Sequence, residues 1–239
     1  MIVQDGQELP AAIGGAVERL YKQFEGYPFP RNLSVCDQCG RPEWSPENLA
    51  STPLRSLSGW QLDAVHVLSL DDDALRHFFP RLVELLLIDP YQSFDFANLI
   101  LHTLKGRLTA WSPSESAVLR RLLEAVWQEL LTTYPAKLGY FSDCGSMLDF
   151  LDWCDIPLEP FLDSWQANDA PMAARHLADL ISDLFFMPYK AARRPPLLAW
   201  LDQPVIGERL ADAFLAAESE QAANQLSAAH DLWTVCVRG

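Results

Sequence analysis

The chain has 239 residues and a mass of 26.9 kDa, with hydrophobic residues at 49% and charged residues at 21%. That composition suffices for a sizeable core and excludes a polar, disordered chain. The formal net charge of −14 excludes nucleic acid as the expected partner, because phosphate binding requires clustered Lys and Arg.

The charge excess is uneven: residues 121–180 hold 10 acidic against 3 basic side chains, which is half of the whole imbalance. No apolar run approaches the roughly 18 residues of a membrane-spanning helix. Residues 1–15 contain neither Lys nor Arg nor a long apolar stretch, so a signal peptide is not expected and a cytoplasmic location is. Five cysteines (Cys36, Cys39, Cys144, Cys154 and Cys236) make an odd set. Free thiols in a reducing compartment fit it better than a disulfide framework.

In chain order, Ile13, Val17, Leu20, Tyr21 and Phe24 share one helical face. Gly26, Pro28 and Pro30 then stop that helix. Residues 26–57 are the least regular part. Within them Ser45 and Pro46 have the form of an N-cap and first-turn proline for a short helix over 46–51. Ser58 and Gln61 form a capping box for a helix burying Leu62 and Val65, and Ser69 with Asp72 repeats that logic for the next one. The stripe of the latter runs Leu75, Phe78, Phe79, Leu82, Val83 and Leu86, with Pro80 expected to kink or divide it.

Phe94, Ala97, Leu101 and Leu104 place a helix over 93–105. Ser112, Pro113 and Glu115 open a long helix to about Thr133, striped from Val118 to Leu131. Helices follow over 145–154, 158–166 and 171–186. A turn then carries the basic residues Lys190, Arg193 and Arg194. The last helices are anchored by Leu198 and Trp200, by Ile206, Leu210 and Phe214, and by Leu226 and Trp233. Alternation of the strand type is confined to Thr234-Val235-Cys236-Val237, without an evident partner.

The expected fold class is therefore all-α: a single globular domain over 1–239 built of about ten short-to-medium helices, with an irregular Cys-containing loop segment at 26–57. An irregular solenoid of helix pairs is the second form considered, although no fixed repeat period is present.

Several pieces carry a resemblance. They are Phe24-Glu25-Gly26-Tyr27-Pro28-Phe29-Pro30 followed by Cys36 and Cys39, then Pro53-Leu54-Arg55-Ser56-Leu57, and His77-Phe78-Phe79-Pro80-Arg81-Leu82 with Glu84-Leu85. Pro160-Phe161-Leu162, Trp165 and His176-Leu177-Ala178 complete them. On these, the chain resembles a family of uncharacterised bacterial proteins over residues 17–180. The resemblance implies an all-helical bacterial protein and no particular reaction.

Cys36-x-x-Cys39-Gly40 has the form of half a zinc knuckle, two thiolates on one turn that glycine allows to reverse. Zinc needs four ligands, so the rest would come from Cys144, Cys154, Cys236, His66, His77, His102, His176 or His230. A bound zinc, a reversible dithiol switch and thiols that simply pack are the three readings. A thioredoxin-like role lacks its βαβ unit.

His66 ahead of Asp71-Asp72-Asp73 suggests either a hard-metal or general-base site or, more simply, acids compensating a helix dipole. His77 beside Phe78 and Phe79 reads as a core-edge histidine bonded to backbone. Arg55 and Arg81 either cap carbonyls of the irregular segment or bind an anion. Neither a G-x-S-x-G elbow nor a Gly-rich phosphate loop is present; Ile13-Gly14-Gly15 falls inside a helix. Trp111, Trp127, Trp153, Trp165, Trp200 and Trp233 read mostly as core.

From Asp143 to Asp169 seven acids occur without one Lys or Arg. Asp149, Asp152 and Asp155 are spaced by three, which on a helix places them around one side as the expected partner-binding residues. The first functional reading is thus a non-enzymatic protein-interaction module that presents an acidic face to a basic protein, in the manner of an adaptor or an immunity protein. The alternative is a metal- or thiol-dependent enzyme whose site joins Cys36 and Cys39 to a histidine.

Overall fold

The computed structural model describes residues 8–35, 44–65, 67–88, 94–187 and 195–236. Among them are twelve α-helices and no strand, so the fold is all-α as the periodicity requires. No helix of the described residues is long and apolar enough to cross a membrane. The chain groups into two compact units.

The first unit comprises residues 1–126, 137–141 and 153–155. It holds α1 (Ala11–Phe24), α2 (Pro46–Ser51), α3 (Gly59–Ala64), α4 (Asp72–Ile88), α5 (Phe94–Leu104) and the greater part of α6 (Pro113–Thr132). Helix α1 lies along α4, and its buried Ile13, Val17, Leu20 and Phe24 are four of the five residues the spacing singled out, Tyr21 being half-buried. Phe24, Phe79 and Trp111 form the aromatic centre, with ring centroids 4.5–5.4 Å apart.

The caps follow the sequence signals. The Ser45 side chain accepts from Asn48 N, Ser58 and Gln61 close a full capping box, and Ser112 with Glu115 closes another. One cap differs from expectation: Asp71 Oδ1 accepts from Ala74 N at 2.8 Å, so Asp71 starts α4, while Ser69 ends a 3₁₀ turn at Val67–Ser69. A carboxylate beside the first turn has the added attraction of the helix dipole. Pro80 lies inside α4 without dividing it. Gly139, at φ +58°, sits where a Cβ would be 2.3 Å from the Leu86 carbonyl oxygen, which itself accepts from Tyr140 N at 2.7 Å. Only glycine fits there.

The second unit comprises residues 127–136, 142–152 and 156–239. It holds the end of α6, most of α7 (Cys144–Trp153), and α8 (Glu159–Gln166), α9 (Pro171–Phe186), α10 (Pro195–Leu201), α11 (Pro204–Leu215) and α12 (Glu220–Cys236). Helix α12 packs on both α9 and α11, and α10 packs on α8. Thr234 and Val235 continue α12, correcting the strand reading: residues 220–236 already supply a helical stripe through Leu226, Ala229 and Trp233. Leu197 is buried in place of Leu198, which is 39% exposed, and Phe214 is 43% exposed.

Candidate functional site

The acidic stretch centres on α8. Phe161, Leu162 and Trp165 are buried, while Glu159 and Asp163, one turn apart, are exposed together with Asp169 beyond the helix end. Several bonds from elsewhere in the unit hold this short helix. Trp127 Nε1 donates to Phe161 O at 3.1 Å, Trp200 Nε1 donates to Gln166 Oε1 at 3.1 Å, and Arg209 Nη1 donates to Trp165 O at 2.6 Å. Gln128 Nε2 donates to Ser164 Oγ at 2.9 Å. The Trp127 and Trp165 rings meet edge to face, with centroids 5.3 Å apart. Carboxylates on so braced a helix keep a fixed spacing, which a loop would not provide. Among the described residues neither Glu159 nor Asp163 has a cation within ion-pair distance, and at i,i+4 they repel each other by about 0.2–0.5 kcal/mol.

The expected trio is arranged differently. Asp149 and Asp152 lie on α7, half-buried and engaged within the protein. Asp155 is exposed but past the helix, at φ 55°, and Ile156 N bonds back to Leu151 O at 2.9 Å. That six-to-one bond is the Schellman ending, with Asp in the left-handed position usually given to Gly. The spacing of three therefore does not continue one helical face through Asp155. Asp143 has a structural task as well: its Oδ1 accepts from Ser146 N at 2.7 Å and caps α7.

Cys36 and Cys39, the expected metal ligands, and His66 lie outside the described residues, as do Lys190, Arg193 and Arg194. Cys144 and Cys154 are buried, and burial followed by nearby Asp143 and Asp155, respectively, pushes both thiols up, away from the reactive thiolate. His77 Nδ1 lies 2.8 Å from Tyr27 O; a carbonyl only accepts, so Nδ1 carries the hydrogen. His176 Nε2 donates likewise to Thr133 O at 3.0 Å. Burial lowers both histidines despite these bonds. Among the described residues no three of His, Cys, Asp and Glu converge as a metal-ligand set.

In the first unit, a cleft of about 650 Å³ is lined by Tyr21, Lys22, Arg55 and His77, and sequence reasoning had no means to foresee it. Most of its polar groups are already engaged by other groups of the protein. Tyr21 OH donates to Glu84 and Tyr27 OH to Glu115, each at 2.7 Å. Arg55 lies 4.1 Å above the Tyr21 ring centroid and pairs with Glu18, and Arg81 Nε donates to Leu57 O at 2.7 Å. Arg81 thus caps a carbonyl of the irregular segment, as one of its two readings has it, whereas Arg55 is held by a carboxylate and a ring of α1 and caps no carbonyl.

Comparison with protein-family models, with curated proteins and with solved structures returns no match.

Proposed function

We propose that this protein acts by non-covalent association, presenting the carboxylates of α8 and its exit loop to a cationic protein partner. The observation that supports this is the set Glu159, Asp163 and Asp169, exposed on or just beyond a helix held by four hydrogen bonds from three other helices. The stretch Asp143–Asp169 offers no Lys or Arg to neutralise them. Like charges gathered on a rigid support raise a local negative potential, which steers and orients a basic protein more than it stabilises the fold.

The test uses a Lys-rich peptide as probe and isothermal titration from about 0.01 M to about 0.15 M salt, over which the screening length falls from roughly 30 to 8 Å. Affinity should drop steeply across that range. Affinity independent of salt would overturn the reading.

A further inference from the structure

The second unit also contains an open groove of about 660 Å³ between the start of α9, one face of α11 and the start of α12. On α11 and its C-cap residue the lining positions Val205, Glu208, Arg209, Asp212, Ala213 and Ala216 recur every three or four residues, so they form one continuous stripe. From Val205 to Ala216 that stripe extends about 16 Å at the helical rise of 1.5 Å per residue. Ala174, Ala222 and Leu226 form an apolar base, small enough to leave room above it, while Val205 remains 37% exposed.

Charge around the groove is ordered. Glu208, Asp212, Glu218 and Asp169 line its exposed margin. The two cations of the lining turn to internal acceptors. Arg175 Nε donates to Gln225 Oε1 at 3.0 Å with its guanidinium 3.9 Å from the Tyr134 ring centroid. Arg209 Nη1 is bonded to Trp165 O, while its Nη2 is buried without a hydrogen-bond partner and is not presented to an occupant. An occupant therefore meets an apolar base and an acidic rim.

We infer that this groove receives a cationic amphipathic helix of the partner, apolar side chains down and Lys or Arg toward Glu208, Asp212 and Glu218. A helix lying along α11 matches the length of the stripe, and helix-in-groove docking needs anchors at i, i+3 or i+4 and i+7 like those a strip of this length accepts. A compact small molecule would leave much of the strip bare. The inference rests on the cationic-partner reading above and adds the place and the secondary structure of the contact.

Three synthetic peptides of about sixteen residues, long enough to sustain a helix on binding, separate the possibilities. One alternates Leu and Lys in helical register, one replaces Lys by Gln, and one replaces Leu by Gly. The Leu/Lys peptide should bind the full chain about tenfold or more tighter than either other, because it alone combines buried leucines with paired charge. Hydrogen exchange should slow in α11 and in the first turns of α12. Ala213→Trp, which fills the groove, should abolish this binding. Val205→Asn, at an exposed position, should weaken it and guards against a folding defect in the first variant. Glu208→Gln with Asp212→Asn should weaken it and flatten its salt dependence.

If the Leu/Lys and Gly/Lys peptides bind alike and ignore the groove variants, the inference fails while the acidic-surface reading stands. If the Leu/Gln peptide binds as well as the Leu/Lys one, the groove takes a neutral occupant and the inference fails. If sedimentation shows a dimer that Ala213→Trp dissociates, a second copy is the occupant and it fails again. If none binds, both readings fail.

Discussion

The indole of Trp233 lies directly over Gly207: a Cβ at that glycine would stand 2.2 Å from Cζ3 and 2.5 Å from Cη2. The same indole donates to the Leu201 carbonyl at 2.7 Å, which fixes the ring in place. Three elements, α10, α11 and α12, thus meet at one residue pair. Gly207→Ala should force the ring outward and cost about 1–3 kcal/mol, the usual range for an overpacked core. Urea unfolding checks this, and an unchanged midpoint would contradict the contact.

Glu115 closes the cap of α6 and joins it to Tyr27 and Arg76. It accepts from Ser112 N and Tyr27 OH at 2.7 Å each, and Arg76 Nε lies 3.3 Å from Oε1 off hydrogen-bond alignment. Burial would raise this carboxyl, but the bonds from Tyr27 and Ser112, with Arg76, outweigh it and hold the group below the usual carboxylate range. A depressed pKa stabilises the folded state above the unfolded value, near 4.3, and that contribution is lost as pH falls through the folded value. Glu115→Gln should cost about 1–3 kcal/mol at pH 7, and the difference from the native chain should narrow on acidification. A difference constant with pH would contradict the assignment.

His176 and His77 work in the same direction by a different cause. Burial lowers both, and His176 Nδ1 is buried without a hydrogen-bond partner. Around His176, Asp143 and Asp179 favour the charged ring and Arg175 opposes it. Lowered folded values mean stability that is present above the unfolded histidine pKa of about 6.5 and is lost as pH falls below it. Stability should therefore decline between pH 7 and pH 5, and the decline should shrink in a His77→Gln, His176→Gln double variant. An equally steep decline in the double variant would assign the effect elsewhere.

Cys144 and Cys154 should resist alkylation at pH 7 in the folded protein and react on unfolding, because burial disfavours both thiolates. Mass mapping of alkylated peptides reads this directly. Rapid native labelling of either would contradict its burial.

Much of the fold was legible because side-chain chemistry and period agreed. Ser45, Ser58 and Ser112 each stood before a helical stripe and each caps it. Ser69 carries the same cap signal before α4, yet Asp71, two residues on, is the residue that caps it, a difference that only geometry shows. Asp155 ends α7 in a left-handed conformation that sequence patterns associate with Gly, so the aspartates at intervals of three were read past the true helix end. The β-branched Thr234 and Val235 suggested a strand, yet tertiary packing of Trp233 and Ala229 carries the helix through them. The groove was not legible at all: its walls come from three helices, and several of its lining residues are alanines that carry no recognisable chemistry.

In the proposed association the charges of α8 and its exit loop act locally and not through the net charge alone. Glu159→Gln, Asp163→Asn and Asp169→Asn together should weaken association with a Lys-rich peptide several-fold at low salt, where screening is weakest. A charge-matched control, Glu8→Gln, Glu25→Gln and Asp63→Asn, changes exposed acids of the first unit by the same amount. Titration calorimetry on the two triple variants compares them directly. Weakening confined to the first variant is the predicted result, and equal weakening, or none, in both would contradict the claim.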